Sequence, residues 1–191
     1  ASPVYQLVLT EELEYRGCPG FDIFGVGMIA PTLFRFASEE QKRSFLPRIA
    51  GGEIFWCECL SEPGAGSDLA SLTTQATEET AHYVINGQKV WTSGAHVADW
   101  CILLARTDRS LPKHRGLGFF LVDMRSPGIT VRPLVNMAGD HESNEVFFDG
   151  VRVPKENLVG GRDQGWYVTM TLLSFERAIA VPFFAVAQHY L

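Results

Sequence analysis

The sequence predicts an α+β fold in which helices come first, a β-domain follows, and a further helix closes the chain. Three observations carry this. Apolar residues recur at helical spacing over the first fifty positions, the period changes to that of strands from residue 54 to about 153, and helical spacing returns from Trp166. With 191 residues, 46% hydrophobic and 20% charged, the chain is long enough to bury a sizeable core.

The first helix is amphipathic, with Tyr5, Leu7, Val8 and Leu13 opposite Glu11, Glu12 and Glu14, and ends near Gly17. A second apolar segment runs from Phe21 to Ala30 and is expected to stop at Pro31. Ser38-Glu39-Glu40-Gln41 fits a capping box, opening a third helix that buries Phe45, Leu46 and Ile49 and ends at Gly51-Gly52.

The strand region opens with Ile54-Phe55-Trp56-Cys57, an apolar run that reads as a buried strand. Ser71 to Thr77 is a further strand candidate. Asn86-Gly87, between Tyr83-Val84-Ile85 and Lys89-Val90-Trp91-Thr92, is a strong hairpin signal. Trp100 to Ala105 and Leu117 to Val122 suit buried strands, with an exposed loop at Lys113 to Gly116 between them. Pro127-Gly128 turns into Ile129 to Leu134, and Asp149-Gly150 reads as a turn between Val146-Phe147-Phe148 and Val151-Arg152-Val153. Strands this short and this closely spaced suggest a barrel or sandwich. Pro154 and Gly160-Gly161 mark a boundary, after which Val168, Leu172, Phe175 and Ile179 form one helical stripe that still runs when the sequence stops at Leu191. Both ends look cut, so a fragment of a larger protein is expected.

Composition removes several function classes. A net charge of −6 with scattered Lys and Arg leaves no footprint for nucleic acid. No apolar run approaches the length of a membrane span, and no basic-then-apolar leader opens the chain. Cys18, Cys57, Cys59 and Cys101 lack C-x-x-C spacing, and the five histidines lack H-E-x-x-H spacing, so no metal site is expected. The cysteines read as reduced, half-buried core residues, with Cys57 and Cys59 on the same side of a strand.

One stretch stands out for chemistry, Cys59-Leu60-Ser61-Glu62-Pro63-Gly64-Ala65-Gly66-Ser67-Asp68-Leu69-Ala70-Ser71. Glycines admit close backbone approach to a ligand, Ser61 and Ser67 add hydroxyls, and Glu62 and Asp68 make it more than a phosphate cradle. On residue type alone it reads first as a long polar loop leaving a strand, with Asp68 capping a short helix, and only the rest of the chain can overturn that reading. A dinucleotide-fold reading fails because Gly64-x-Gly66 lacks the third glycine and a following helix.

Together with Val84-Ile85-Asn86-Gly87-Gln88-Lys89-Val90-Trp91-Thr92-Ser93-Gly94, this stretch resembles the acyl-CoA dehydrogenase family. The first block fits its flavin and acyl-CoA signature from Cys59 to Ser71, and the second its "NGxKxW" block, in the family's order. Leu9-Thr10-Glu11-Glu12-Leu13, Leu103 to Asp108, and Pro127-Gly128 ahead of the "VRVP" strand agree as well, so the resemblance covers essentially the whole chain. It implies a multidomain α+β protein with a helical N-terminal part (1–53), a central antiparallel β-barrel or sandwich (54–160), and the start of a C-terminal helical bundle (161–191). The implied cofactor is FAD, lying between barrel and bundle.

The resemblance carries roles onto individual positions. Cys59, Leu60, Ser61, Gly66 and Ser67 match the loop along FAD, with Ser67 also touching the CoA part of the substrate. Trp91, Thr92 and Ser93 match the segment against the isoalloxazine; on residue type alone Trp91 reads as a core aromatic. Thr107 and Arg177 match substrate-contacting positions, Arg177 at the CoA moiety. Glu176 falls where the isovaleryl and long-chain types place the catalytic base, whereas most members carry that base beyond Leu191; otherwise Glu176 is a helix-surface acid beside Arg177. The implied activity is α,β-dehydrogenation of an acyl-CoA thioester, a proton leaving the α-carbon and a hydride passing to FAD. Electron-transfer flavoprotein is the implied acceptor, a homo- or heterotetramer the implied full-length assembly, and bacterial cytoplasm, ahead of mitochondrial matrix, the implied compartment. An oxygen-using relative (acyl-CoA oxidase or flavin monooxygenase) and a non-catalytic subunit are the alternatives.

Overall fold

The computed structural model describes residues 3–17 and 22–189. Helix α1 spans Pro3–Tyr15. A π-helical stretch, Ile23–Ile29, is opened by Asp22, whose side chain accepts from the Gly25 N–H, and runs directly into α2, Ala30–Phe36. Pro31 does not stop the segment as its ring suggested. It occupies the first turn of α2, where its missing N–H and fixed φ cost nothing. Cys18 and Phe21 lie outside the described residues.

Helix α3, Glu39–Ala50, carries the expected capping box, with Gln41 N donating to Ser38 Oγ at 3.2 Å and Ser38 N to Gln41 Oε1 at 2.8 Å. The same Gln41 side chain donates from Nε2 to the carbonyls of Glu156 (2.7 Å) and Leu158 (3.1 Å), tying the helix to the far end of the β-domain. Phe45 and Ile49 are buried, and Phe45 meets the rings of Trp56 and Trp100 edge-on at 5.5 and 4.8 Å.

The β-domain is one eight-stranded sheet: β1 Trp56–Cys59, β2 Gln75–Glu78, β3 His82–Ser93, β4 Trp100–Arg106, β5 Leu117–Asp123, β6 Ile129–Leu134, β7 Ser143–Pro154 and β8 Leu158–Val159. The order is β6-β7-β3-β2-β4-β5-β8, with β1 joined in parallel to β4. Most pairs are antiparallel; β2 and β4 also run parallel. The first strand begins two residues later than expected, leaving Phe55 exposed. The Thr-rich run enters the sheet only at Gln75, as β2, and its first residue, Ser71, closes a 3₁₀ turn instead.

The larger correction concerns two expected turns. Asn86-Gly87 and Asp149-Gly150 make no hairpins; they face each other inside the long antiparallel pair β3–β7. Ile85 pairs with Val151 and Gly87 with Phe148, so Asn86 alone faces Asp149 and Gly150. This is a β-bulge, with Gly150 at φ +63° as the extra residue and its N–H bonded to Asn86 Oδ1 at 2.9 Å. Gly87 is needed for space, since a Cβ there would stand 2.7 Å from Thr74 Cα. The turn chemistry was real, but pairing along β7 absorbed it.

Alternation on β4 and β5 divides the core. Cys101, Leu103, Ala105, Phe120 and Val122 face an inner cluster shared with Cys57, Cys59, Ile85, Val146, Val151 and Val153. Ile102, Leu104, Phe119 and Leu121 face an outer cluster shared with the helices. Tyr83 of β3 meets Phe120 of β5 edge-on at 5.0 Å, so the sheet curls until non-adjacent strands pack face to face. Both Cys57 and Cys59 are inside, as strand alternation required.

After β8, helix α4 spans Gly165–Glu176, a 3₁₀ turn occupies Arg177–Ile179, and α5 spans Ala180–His189 against α1. The single expected helix is therefore two. Val168 and Leu172 of the expected stripe are buried and Phe175 partly so; the Ile179 side chain and Leu191 lie outside the described residues. Gly165 lets α4 sit close on the sheet, as a Cβ would come within 2.5 Å of the Leu117 carbonyl oxygen.

Candidate functional site

The loop after β1 is closed on itself by Glu62 and Ala65, which exchange two backbone hydrogen bonds of 2.9 and 3.1 Å around Pro63-Gly64. The Glu62 carboxylate turns inward. It accepts from Thr73 N (2.7 Å) and Thr73 Oγ1 (2.8 Å) on one oxygen, and from Thr74 N (2.8 Å) and Lys89 Nζ (3.0 Å) on the other. Lys89, fully buried on β3, also donates to the Leu60 carbonyl at 2.8 Å. One carboxylate thus gathers the outgoing arm of the loop, its returning arm and the neighbouring strand. Burial by itself would raise the Glu62 carboxyl; the Lys89 charge and the Thr73 and Thr74 bonds outweigh it and hold it at about 2.

The returning arm is fixed again by Arg106 at the end of β4, which donates to Ala70 O, and to Lys113 O and Arg115 O at 3.0 Å each. Lys113 reaches both Asp68 oxygens at 2.9 Å. Asp68 precedes the expected short helix, but its side chain accepts from Ser71 Oγ and makes no bond to the turn's backbone.

A second bulge aims the end of β3. Lys89 pairs with Val146 and Thr92 with Asn144, so Val90 and Trp91 face Glu145 alone. Trp91 is the one non-glycine residue with positive φ among the described residues, at +61°, and the residue is 68% exposed. The core reading of Trp91 fails for that reason. The bulge sets the indole outward while Lys89 and Thr92 on either side are completely buried. Val90 N donates to Ser61 O at 2.9 Å, which brings the start of the loop directly beside Trp91.

The residues singled out from the sequence divide by what they present. Cys59, Leu60 and Thr92 are buried, so backbone is what they can offer a ligand. Ser61 and Ser93 are half-buried, while Gly66, Ser67 and Trp91 are exposed. A Cβ on Gly64 or Gly66 would meet nothing within 4 Å among the described residues, so the glycine backbone is open at these two positions. An indole face, three hydroxyls and open glycine backbone suit a planar ligand with polar edges, and a flavin is such a group. Thr107 lies where β4 leaves the sheet, its Oγ1 3.4 Å from the Arg162 carbonyl. Glu176 is the half-buried last residue of α4, and Arg177 begins the exposed 3₁₀ turn after it. Among the described residues no ion pair joins Glu176 to Arg177, and no hydrogen bond joins Arg177 to Ser67 or Thr107. No three His, Cys, Asp or Glu side chains among the described residues gather as metal ligands.

Sequence reasoning missed the part played by Glu62, Lys89 and Arg106. Lys89 was visible only as a letter in the second block, and polar residues in strands ordinarily read as solvent-facing.

Comparison with known proteins agrees in order and extent. The description "Acyl-CoA dehydrogenase, N-terminal domain" matches residues 1–53 and "Acyl-CoA dehydrogenase, middle domain" matches residues 57–151. Acyl-CoA dehydrogenase IpdE1 of Mycobacterium tuberculosis (strain ATCC 25618 / H37Rv) is 48% identical over 180 residues, covering 94% of this chain and 47% of that protein. Acyl-CoA dehydrogenase FadE34 of the same organism is 47% identical over 177 residues, covering 93% of this chain and 25% of that protein. The solved structure "Tcur3481-Tcur3483 steroid ACAD G363A variant" superposes with a TM-score of 0.88 at 37% identity, over 96% of this chain and 49% of that one. The chain therefore spans about half the length of IpdE1 and a quarter of FadE34.

Proposed function

Because the chain belongs to the acyl-CoA dehydrogenase family, we propose that the whole protein oxidises an acyl-CoA thioester to the trans-2-enoyl-CoA with FAD as cofactor. FAD, when bound, supplies the acceptor for the β-hydride. This chain supplies the surface that holds it. The Val90–Ser61 hydrogen bond, which sets the exposed Trp91 indole beside the glycine loop, is the observation that carries the reading. Ser61, Ser93 and the backbone of Cys59, Leu60, Gly66 and Thr92 bond the polar edges of the cofactor, and Trp91 covers a ring face.

Ser67, Thr107 and Arg177 hold the CoA portion, Arg177 as a fixed cation for an anionic group. Glu176 takes the α-proton onto its carboxylate; its half-buried place at the end of α4 supports a proton acceptor shielded from bulk water. Residues 54–160 form the cofactor-bearing unit between a helical unit at 1–53 and a second one beginning at 161. We further infer electron-transfer flavoprotein as acceptor, a homo- or heterotetramer at full length, and a cytoplasmic setting. No helix among the described residues is long and apolar enough to cross a membrane. Likeness to a structure titled steroid ACAD supports a bulky, ring-bearing acyl group ahead of a short straight chain.

The test is a dye-reduction assay on the full-length, flavin-loaded protein with straight-chain, branched and steroid side-chain CoA thioesters, with and without Glu176→Gln. Turnover of one class, lost by more than about a hundredfold in E176Q, is the expected result. An E176Q enzyme at full rate moves the base elsewhere.

A further inference from the structure

Ser93 ends β3 in a segment bounded by two residues of left-handed backbone, Trp91 at φ +61° and Gly94 at φ +70°. Such backbone at a non-glycine residue persists where the structure around it over-determines it. Strand pairing supplies part of that hold, since Thr92 and Ser93 return to register opposite Asn144 and Ser143 after the second bulge. The rest comes from a buried side chain of β7.

Asn144 is completely buried. Its Nδ2 donates to the Thr92 carbonyl at 3.0 Å and to the Glu142 carbonyl at 3.1 Å. Gly94 N donates to the same Glu142 carbonyl at 2.9 Å. One amide thus holds the peptide unit before Ser93 directly, and the unit after it through a shared carbonyl. These partners fix the orientation of the amide, because turned over it would set its oxygen against two carbonyl oxygens. His96 Nδ1, 3.3 Å from Nδ2, is a third neighbour for a group with two hydrogens.

Asn144 Oδ1 is buried and has no hydrogen-bond partner among the described residues. A buried acceptor left unpaired is unfavourable, and a leucine of similar size would avoid it. What an asparagine contributes at this position is therefore its donor end. The Ser93 hydroxyl, by contrast, is half-buried and makes no hydrogen bond among the described residues, so it is available to a ligand.

We infer that Asn144 is a positioning residue for Ser93: by clamping the peptide units on both sides, it keeps the Ser93 hydroxyl directed at the polar edge of the cofactor. Asn144 is sealed from solvent and reaches no ligand itself. It acts on the redox step through that hydroxyl, whose hydrogen bond strengthens as negative charge arrives on its acceptor. A donor held in place before the charge arrives needs no reorganisation when it does. The inference rests on the reading of Ser93 as a flavin contact.

The experiment uses the full-length protein and its Asn144→Leu, Asn144→Ser, Ser93→Ala and combined Asn144→Leu/Ser93→Ala variants. Fluorescence titration of each apoprotein gives the affinity for oxidised flavin, and dye-coupled spectrophotometry of each loaded protein gives the midpoint potential. In N144L, oxidised flavin is expected to bind within about threefold of the parent, while reduced flavin is held about tenfold less well relative to it, a drop of about 30 mV in a two-electron potential. N144S keeps one donor and is expected to fall between parent and N144L. S93A shows the same drop as N144L, and the double variant shows no further one. A purely structural role weakens both flavin forms alike, leaves the potential unmoved and gives stability losses that add in the double variant. A parent-like potential in N144L beside a lowered one in S93A, or a further drop in the double variant, overturns the inference and leaves the Ser93 contact standing. A parent-like potential in S93A removes the contact and the inference with it. Should N144L not fold, N144S decides on the same reading: a lowered potential supports the clamp and a parent-like one overturns it.

Discussion

Lys89 Nζ lies 3.0 Å from Glu62 Oε1, with the lysine side chain fully buried and the glutamate nearly so. Neither side chain reaches solvent, yet together they decide where the exposed Gly66, Ser67 and Trp91 stand. Glu62 folds the glycine loop back on itself, and Lys89 binds that fold to the strand that carries Trp91. Burial of two charges is repaid only when both stay paired and their remaining hydrogen-bonding capacity is met, and here Thr73, Thr74 and Leu60 meet it.

Lys89→Met leaves the Glu62 carboxylate buried and unpaired. A loss of about 3–5 kcal/mol of stability is expected, with weaker flavin retention. Urea denaturation and the flavin-to-protein absorbance ratio measure the two effects. Adding Glu62→Gln to Lys89→Met recovers part of the stability; a double variant as weak as the sum of the singles would mean that the pair is not coupled.

Trp91 stands mostly in solvent, so Trp91→Ala changes stability by less than about 1 kcal/mol. Flavin affinity is expected to fall at least tenfold, read by fluorescence titration of the apoprotein. A variant that binds flavin as well as the parent removes the ring-stacking role.

Gly87→Ala forces a methyl to within 2.7 Å of the Thr74 backbone. Because the contact is backbone and cannot rotate away, a loss of about 2–3 kcal/mol follows. Thermal melting of the variant reads it, and an unchanged melting temperature would show that the bulge shifts freely.

The acid limb of stability carries the signature of Glu62. Its folded carboxyl is held at about 2, while a glutamate in the unfolded chain titrates near about 4.3. Its contribution is whole above the unfolded value and fades as the pH falls from there towards 2. Stability curves of the parent and Glu62→Gln are expected to converge across that window.

Glu58 of β1 has the opposite sign. Burial, then the Glu176 charge, then Cys59, push its carboxyl up to about 8. The native state therefore holds a proton that the unfolded chain has already released above about pH 4.3, so stability drains as the pH climbs between the two. Glu58→Gln removes this dependence and is expected to be more stable than the parent by about 2–4 kcal/mol at alkaline pH, with no difference in acid. Denaturant midpoints measured across the pH range decide it.

Much of this protein is written locally. The Ser38–Gln41 capping box, the buried runs of β4 and β5, and the order of helices, sheet and helices follow from periods and caps that act within a few residues. The glycine loop and the Trp91 block were likewise legible as motifs. What the sequence left open is what needs partners distant along the chain. Asn86-Gly87 and Asp149-Gly150 have the chemistry of two hairpins, and only the pairing of β3 with β7 over twelve-residue strands turns them into the two sides of one bulge. Trp91 is apolar and Lys89 charged, so local rules place the first inside and the second outside; alternation from Tyr83 and Ile85 carries Lys89 inward, and the second bulge, one extra residue after it, turns Trp91 outward and Thr92 inward. The loop from Cys59 to Ser71 was recognisable from its own residues, but its shape depends on a carboxylate at position 62, a lysine on β3 and an arginine on β4, brought together by the curl of the sheet.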